Sequence, residues 1–204
     1  MAYEFSVDWT SRAIPLWKRC FRQINKPDVS VLEIGTYEGR SSCWFSDNVL
    51  DHDMATLDCV DPYTQDNHIG ENKLLNEKRY HCFIKNILQS KNSNKITHYK
   101  MTSDDFFKNH HNTYDFIYVD GGHLKDQVMR DLLNAESRLN KGGILIIDDV
   151  WYLGDFNSGE HDVQKALEEV LPFETLICLQ DGLKNNHKQS AYLKTSKGHN
   201  NEQV

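Results

Sequence analysis

The 204 residues predict an α/β fold: a doubly wound sheet, mostly parallel, with a C-terminal antiparallel strand and helices on both faces. Two observations lead there. Short apolar runs alternate with stretches of helical spacing along most of the chain. The runs are apolar at successive positions, as in Phe116-Ile117-Tyr118-Val119, which is the signature of strands covered on both faces.

The elements follow in order. Trp9 to Phe21 reads as an outer or lid helix within an N-terminal segment, residues 1–28. Val31-Leu32-Glu33-Ile34 is the first strand, stopped at Gly35, and Gly39 to Leu50 is a helix. Ala55 to Asp61 is the second strand, closed by Pro62, and Glu71 to Gln89 the next helix. Ile96 to Met101 is the third strand. Ser103 to Asn109 is a short helix with Ser103 as its expected N-cap. Phe116 to Val119 is the fourth strand. Lys125 to Leu139 is amphipathic, with Val128, Met129, Leu132, Leu133 and Ala135 expected inside. Lys141-Gly142-Gly143 is expected to end it before a fifth strand, Ile144 to Ile147. Val163, Ala166, Leu167, Val170 and Leu171 keep helical spacing. Thr175–Leu179 and Ser190–Leu193 are expected to pair antiparallel. The whole reads as one Rossmann-like domain, residues 1–195, and the polar tail 196–204 is expected to be disordered.

Composition bounds the partners. A net charge of -7 repels phosphate backbones, and Lys and Arg are scattered, so no nucleic-acid partner is expected. No apolar run approaches the ~18 residues of a membrane span. The N-terminus lacks a signal-peptide pattern, and a cytoplasmic protein is expected. The five cysteines lack the paired spacing of a disulfide framework or a zinc knuckle. Cys43 and Cys59 read as small core residues.

Ligands of an open parallel sheet sit beyond the carboxyl ends of its strands. Here those ends carry Gly35, Asp61, Asp120, Asp148 and Asp149. Gly35 permits a sharp turn, and Gly39 lets the next helix start close to a ligand whose negative group would meet its N–H donors. Tyr37 interrupts the GxGxxG dinucleotide fingerprint, and the loop alone is also what a bare tight turn looks like. Asp61 stands where an acid can take ribose hydroxyls, though Asp-Pro is a common turn as well.

Val31-Leu-Glu-Ile-Gly-Thr-Tyr-Glu-Gly-Arg-Ser-Ser42 resembles motif I of the class I methyltransferases, with its mid-loop Tyr similar to the catechol and caffeoyl-CoA O-methyltransferase branch. Asp61-Pro62-Tyr63, the run Tyr114 to His123 and the run Gly142 to Asp149 are similar to methyltransferase family 24. The resemblance runs from about Trp9 to Lys194. It implies S-adenosyl-L-methionine as cofactor, with Glu33 and Gly35 at the methionine portion and Tyr37 and Gly39 beside the cofactor. It implies Asp61 at the ribose, Ser103 and Asp104 at the adenine, and Asp120 bordering the same pocket.

The resemblance also implies chemistry. In metal-dependent relatives the matching positions carry Asp and then Asp-Asn, and here they are Asp120 and Asp148-Asp149. Three carboxylates suit magnesium (Mg2+) or another divalent cation, although Asp148 could also act as a cap. His123 stands where the catechol branch has a basic Lys, so it is the expected general base; an exposed loop His is the bland alternative. Trp151 and Tyr152 are candidate walls of the acceptor pocket, and Trp17 a candidate cover for the cofactor. The expected function is metal-assisted O-methylation of a small hydroxylated acceptor. A nicotinamide-dependent oxidoreductase and a non-catalytic cofactor-binding protein compete with it.

Overall fold

The computed structural model describes residues 2–24, 26–64, 73–150, 162–171, 176–181 and 188–193. In chain order the elements are α1 (Ile14–Gln23), β1 (Ser30–Ile34), α2 (Arg40–Asn48), β2 (Thr56–Val60), α3 (Lys73–Gln89), β3 (Ile96–Tyr99) and α4 (Ser103–Asn109). There follow β4 (Tyr114–Val119), α5 (Lys125–Arg138), β5 (Leu139–Ile147), α6 (Asp162–Val170), β6 (Leu176–Asp181) and β7 (Lys188–Leu193). The strands form one seven-stranded sheet in the order β3-β2-β1-β4-β5-β7-β6. β1 to β5 pair in parallel, and β7 joins β5 and β6 antiparallel. The strand order reverses between β1 and β4, the switch point where such sheets bind ligands.

Successive strand residues feed two cores, as the period of two requires. Phe116, Tyr118, Ile144 and Ile146 pack on one face with Leu16, Trp17, Phe45 and Phe83 of α1, α2 and α3. Ile117, Val119, Leu145 and Ile147 pack on the other with Phe106, Leu132 and Leu167 of α4, α5 and α6. That is why these strands are apolar at every position. The same period places Tyr118, Asp120 and Asp148 toward the α1–α3 side.

Four expectations need correction. The first helix begins at Ile14 rather than Trp9, because Pro15 fits only a first turn. Thr102, not Ser103, caps α4: its side chain accepts from the backbone N–H of Asp105. Leu133 is 56% exposed, because the stripe Val128, Leu132, Ala135 turns that position outward. Gly142 and Gly143 do not separate α5 from β5. The strand starts directly at Leu139 opposite Tyr114, and its register slips before Phe116 pairs with Ile144. Gly142 lies within that slip at φ +79°. Trp151, Tyr152 and the tail 196–204 lie outside the described residues.

Candidate active site

The residues just past four parallel strands still bond to their neighbours. Asp61 N–H donates to the Tyr99 carbonyl (3.2 Å), Gly35 N–H to Val60 (2.9 Å), Asp120 N–H to Ile34 (2.8 Å) and Asp148 N–H to Val119 (2.9 Å). The ladder therefore fixes Asp61, Gly35, Asp120 and Asp148 in one row along the carboxyl edge. Among the described residues, the non-glycine residues with positive φ are Tyr37 (49°), Tyr63 (51°) and Asp149 (52°), and all three stand on loops at this edge. Backbone held in that region costs energy, and such outliers cluster at functional sites.

Gly35 joins the two halves of the edge. Its φ is +84°, and a Cβ there would lie 1.9 Å from the Asp120 carbonyl oxygen. Only glycine lets the β1 and β4 loops touch. Gly39, at φ +80°, is the N-cap of α2.

On the β1–β2 side, carboxylates organise the loop. Glu33 is fully buried, and its two oxygens accept from the Ser41 and Ser42 hydroxyls of α2. Burial pushes its carboxyl up to about 7, against the lowering effect of those hydroxyls. Asp61 Oδ2 accepts from the N–H groups of Thr36 (2.9 Å) and Tyr37 (3.1 Å), and Oδ1 from that of Tyr63 (2.8 Å). Burial raises its pKa while these donors lower it. The Tyr37 ring lies between Trp9 (5.2 Å) and the Arg79 guanidinium (4.7 Å). Trp17 does not cover this loop. It is fully buried, packed 4.7 Å from Phe45 and 5.0 Å from Tyr118.

Ser103 and Asp104, expected at the adenine, part company. Ser103 is buried and accepts from Gln127 Nε2 (3.1 Å), which also donates to Asp131 Oδ1 (3.1 Å). Burial pushes the Asp131 carboxyl up to about 6. Asp104 is exposed and pairs with Arg130 at 3.3 Å.

On the β4–β5 side, carboxylates crowd one another. The Tyr118 hydroxyl donates to Asp148 and lies 3.1 Å from Asp120 Oδ2. Asp148 Oδ1 accepts from the Asp149 N–H at 2.8 Å. Burial, then the neighbouring carboxylates of Asp148 and Asp149, hold Asp120 well above the usual carboxylate range. His123 Nε2 stands 3.2 Å from Asp149 Oδ2, and Arg12 Nη2 3.6 Å from Asp149 Oδ1. Asp120, His123 and Asp149 each offer a ligand atom, all within 4.8 Å of one another. Asp148 is not in that group; its carboxylate faces Tyr118 and the Asp149 backbone.

Sequence reasoning missed Tyr118, Arg12 and the Ser41–Ser42 pair. Tyr118 was within reach: it precedes Asp120 by two, so strand alternation sets both on one face. Nothing local marks Arg12, which meets a residue 137 positions away.

No curated protein matches this chain. Solved structures match its fold. An O-methyltransferase from Streptomyces achromogenes involved in tomaymycin synthesis, in complex with SAM, is 16% identical, with TM-score 0.67 over 93% of this chain and 82% of that one. An O-methyltransferase from Bacillus cereus in complex with SAH is 17% identical, with TM-score 0.64 over 95% and 84%. The Methanococcus jannaschii fibrillarin pre-rRNA processing protein is 14% identical, with TM-score 0.57 over 83% and 68%. At such identities the likeness establishes the fold alone. The family profile of a methyltransferase domain, by contrast, matches residues 32–150, more than half of the chain, and on that match the protein belongs to this methyltransferase family.

Proposed function

We propose that this methyltransferase uses S-adenosylmethionine to methylate a hydroxyl of a small acceptor, with a divalent cation held by Asp120, His123 and Asp149. The observation that carries the reading is that three-residue group, gathered at the carboxyl edge beside the glycine loop. S-adenosylmethionine supplies a methyl group already activated on a sulfonium, and a divalent cation supplies Lewis acidity that lowers the pKa of an acceptor hydroxyl.

The residues present fit both groups. No described side chain caps α2, and no acid lies in its first turn, so its N–H donors suit the carboxylate of the methionine portion. Gly35 and Tyr37 would border that portion, with Glu33 acting from behind through Ser41 and Ser42. Asp61 holds the loop and would meet the ribose, while Ser103 and Asp104 would border the adenine. Two carboxylates and an imidazole suit a divalent cation; the imidazole favours manganese over magnesium, which prefers oxygen alone. Asp148 supports the site by receiving the Tyr118 hydroxyl. The net charge of -7 favours a small acceptor over a nucleic acid.

A second reading has its own observation. The contact of 3.2 Å between His123 and Asp149 is that of a base and the carboxylate that orients it. On this reading the Nε2–H of His123 donates to Asp149, and Nδ1, the other ring nitrogen, takes the acceptor proton without a cation. Nε2 cannot both ligate a cation and carry the proton that it donates to Asp149. Turnover of a panel of small hydroxylated acceptors separates them. Loss of activity in chelator, restored by manganese or magnesium, supports the cation. Activity that survives chelator and disappears in His123→Ala supports the base. A chain that binds NADH and not S-adenosylmethionine in a calorimetric titration overturns both.

A further inference from the structure

Asp149 is approached from a second direction that the reaction outlined above does not use. Arg12 Nη2 lies 3.6 Å from its Oδ1, on the opposite oxygen from His123. Arg12 ends an N-terminal segment laid across the carboxyl edge and fastened along its length. The Glu4 backbone exchanges hydrogen bonds with the Asn86 side chain at 2.9 and 2.8 Å. Ser6 donates from its backbone N–H (2.6 Å) and its hydroxyl (2.8 Å) to Glu38 of the glycine loop. Asp8 pairs with Arg40 at 2.7 Å and accepts from Ser11 N–H at 2.9 Å. The Ala13 N–H closes a turn on the Thr10 carbonyl at 2.9 Å, with Arg12 inside that turn. Arg12 is thus delivered to Asp149 by a built path, and its side chain is 30% exposed against 13% for Asp149.

A guanidinium is charged at every working pH. Fixed a few ångströms from a cation ligand in a half-buried site, it repels a second cation and neutralises one of the charges that would attract it. We infer that Arg12 is the resident counter-cation of Asp149, a positioning residue that holds this carboxylate and lowers the affinity of the Asp120–His123–Asp149 group for a divalent cation. The inference rests on the cation reading above. Because the segment that carries Arg12 also holds Glu38 and touches Tyr37, cation affinity is tied to how this segment sits on the glycine loop.

The test is manganese binding to the full chain, read by the loss of the free-ion paramagnetic resonance signal. The proteins are wild type, Arg12→Gln, Arg12→Met, Arg12→Lys and Asp149→Asn, each checked for folding by thermal melting. At least tenfold tighter binding is expected in Arg12→Gln and in Arg12→Met, which remove the charge by two chemistries. Affinity close to wild type is expected in Arg12→Lys, and loss of binding in Asp149→Asn. Wild-type binding that is unchanged or weaker in both neutral variants overturns the inference and leaves the cation reading standing. No manganese bound by any of the five proteins overturns both.

Discussion

The two halves of the carboxyl edge treat their carboxylates in opposite ways. On the β1–β2 side, Glu33 is met by hydroxyl donors of α2 and Asp61 by backbone donors of the glycine loop. On the β4–β5 side, Asp120, Asp148 and Asp149 crowd together, and the cationic or ionisable groups that answer them are His123, on the loop that Asp120 opens, and Arg12, from the N-terminal segment. An acid surrounded by donors sets a shape. Acids gathered against their mutual repulsion set a demand for positive charge. The first half suits binding, and the second suits chemistry.

The strongest way to break this division is at the residue that joins the halves. Gly35→Ala places a methyl group on the Asp120 carbonyl and forces alanine into a left-handed backbone. It should cost about 4 kcal/mol or more, which a urea denaturation reads. Gly142→Ala is the control: its φ is +79°, but a Cβ there meets no described atom within 4 Å. It should cost only ~1 kcal/mol of backbone strain.

Glu33 sharpens the comparison through pH. Its folded-state pKa of about 7 lies above the ordinary 4.5, so folding favours its protonated form. The stability this supplies is complete below the unfolded value and lost as pH rises through about 7. Glu33→Gln does not titrate. Relative to wild type, it should therefore gain about 3 kcal/mol of stability between pH 4 and pH 8, measured by denaturation at both ends. A constant difference across that window would show that the buried acid is not protonated on folding.

Asp61→Ala tests the binding half directly. It should weaken S-adenosylmethionine binding by ~1–3 kcal/mol in a calorimetric titration, the scale of lost hydrogen bonds to a charged group. Asp149→Ala should leave that affinity unchanged while abolishing turnover. Equal losses of affinity in the two variants would erase the division. The smallest effect belongs to Thr102→Ala, which removes the cap of α4 and should cost about 1 kcal/mol in a thermal melt.

Much of this molecule was legible along the chain. The alternation of strands and helices could be read because each element carries its own period, and because strands covered on both faces are apolar throughout. The acids at the strand ends could be read because strand ends are marked by local residues. Errors fell where a local rule met a tertiary one. Ser103 and Thr102 are both good caps, and only the backbone geometry chooses between them. Gly142 and Gly143 look like a helix stop, yet a register slip in β5 absorbs them. Trp17 has the character of a cover for a ligand, yet the space between α1, α2 and β4 took it into the core.

The fold class and the row of acids at one edge were therefore determined by the sequence alone, since periodicity and strand ends are properties of short segments. What each acid does was decided only in three dimensions. Asp61 turned to the loop, Asp148 to Tyr118, and Asp149 to His123 and Arg12. A carboxylate's role depends on which donors stand within about 3 Å of it, and here many of those donors lie tens of residues away in the chain.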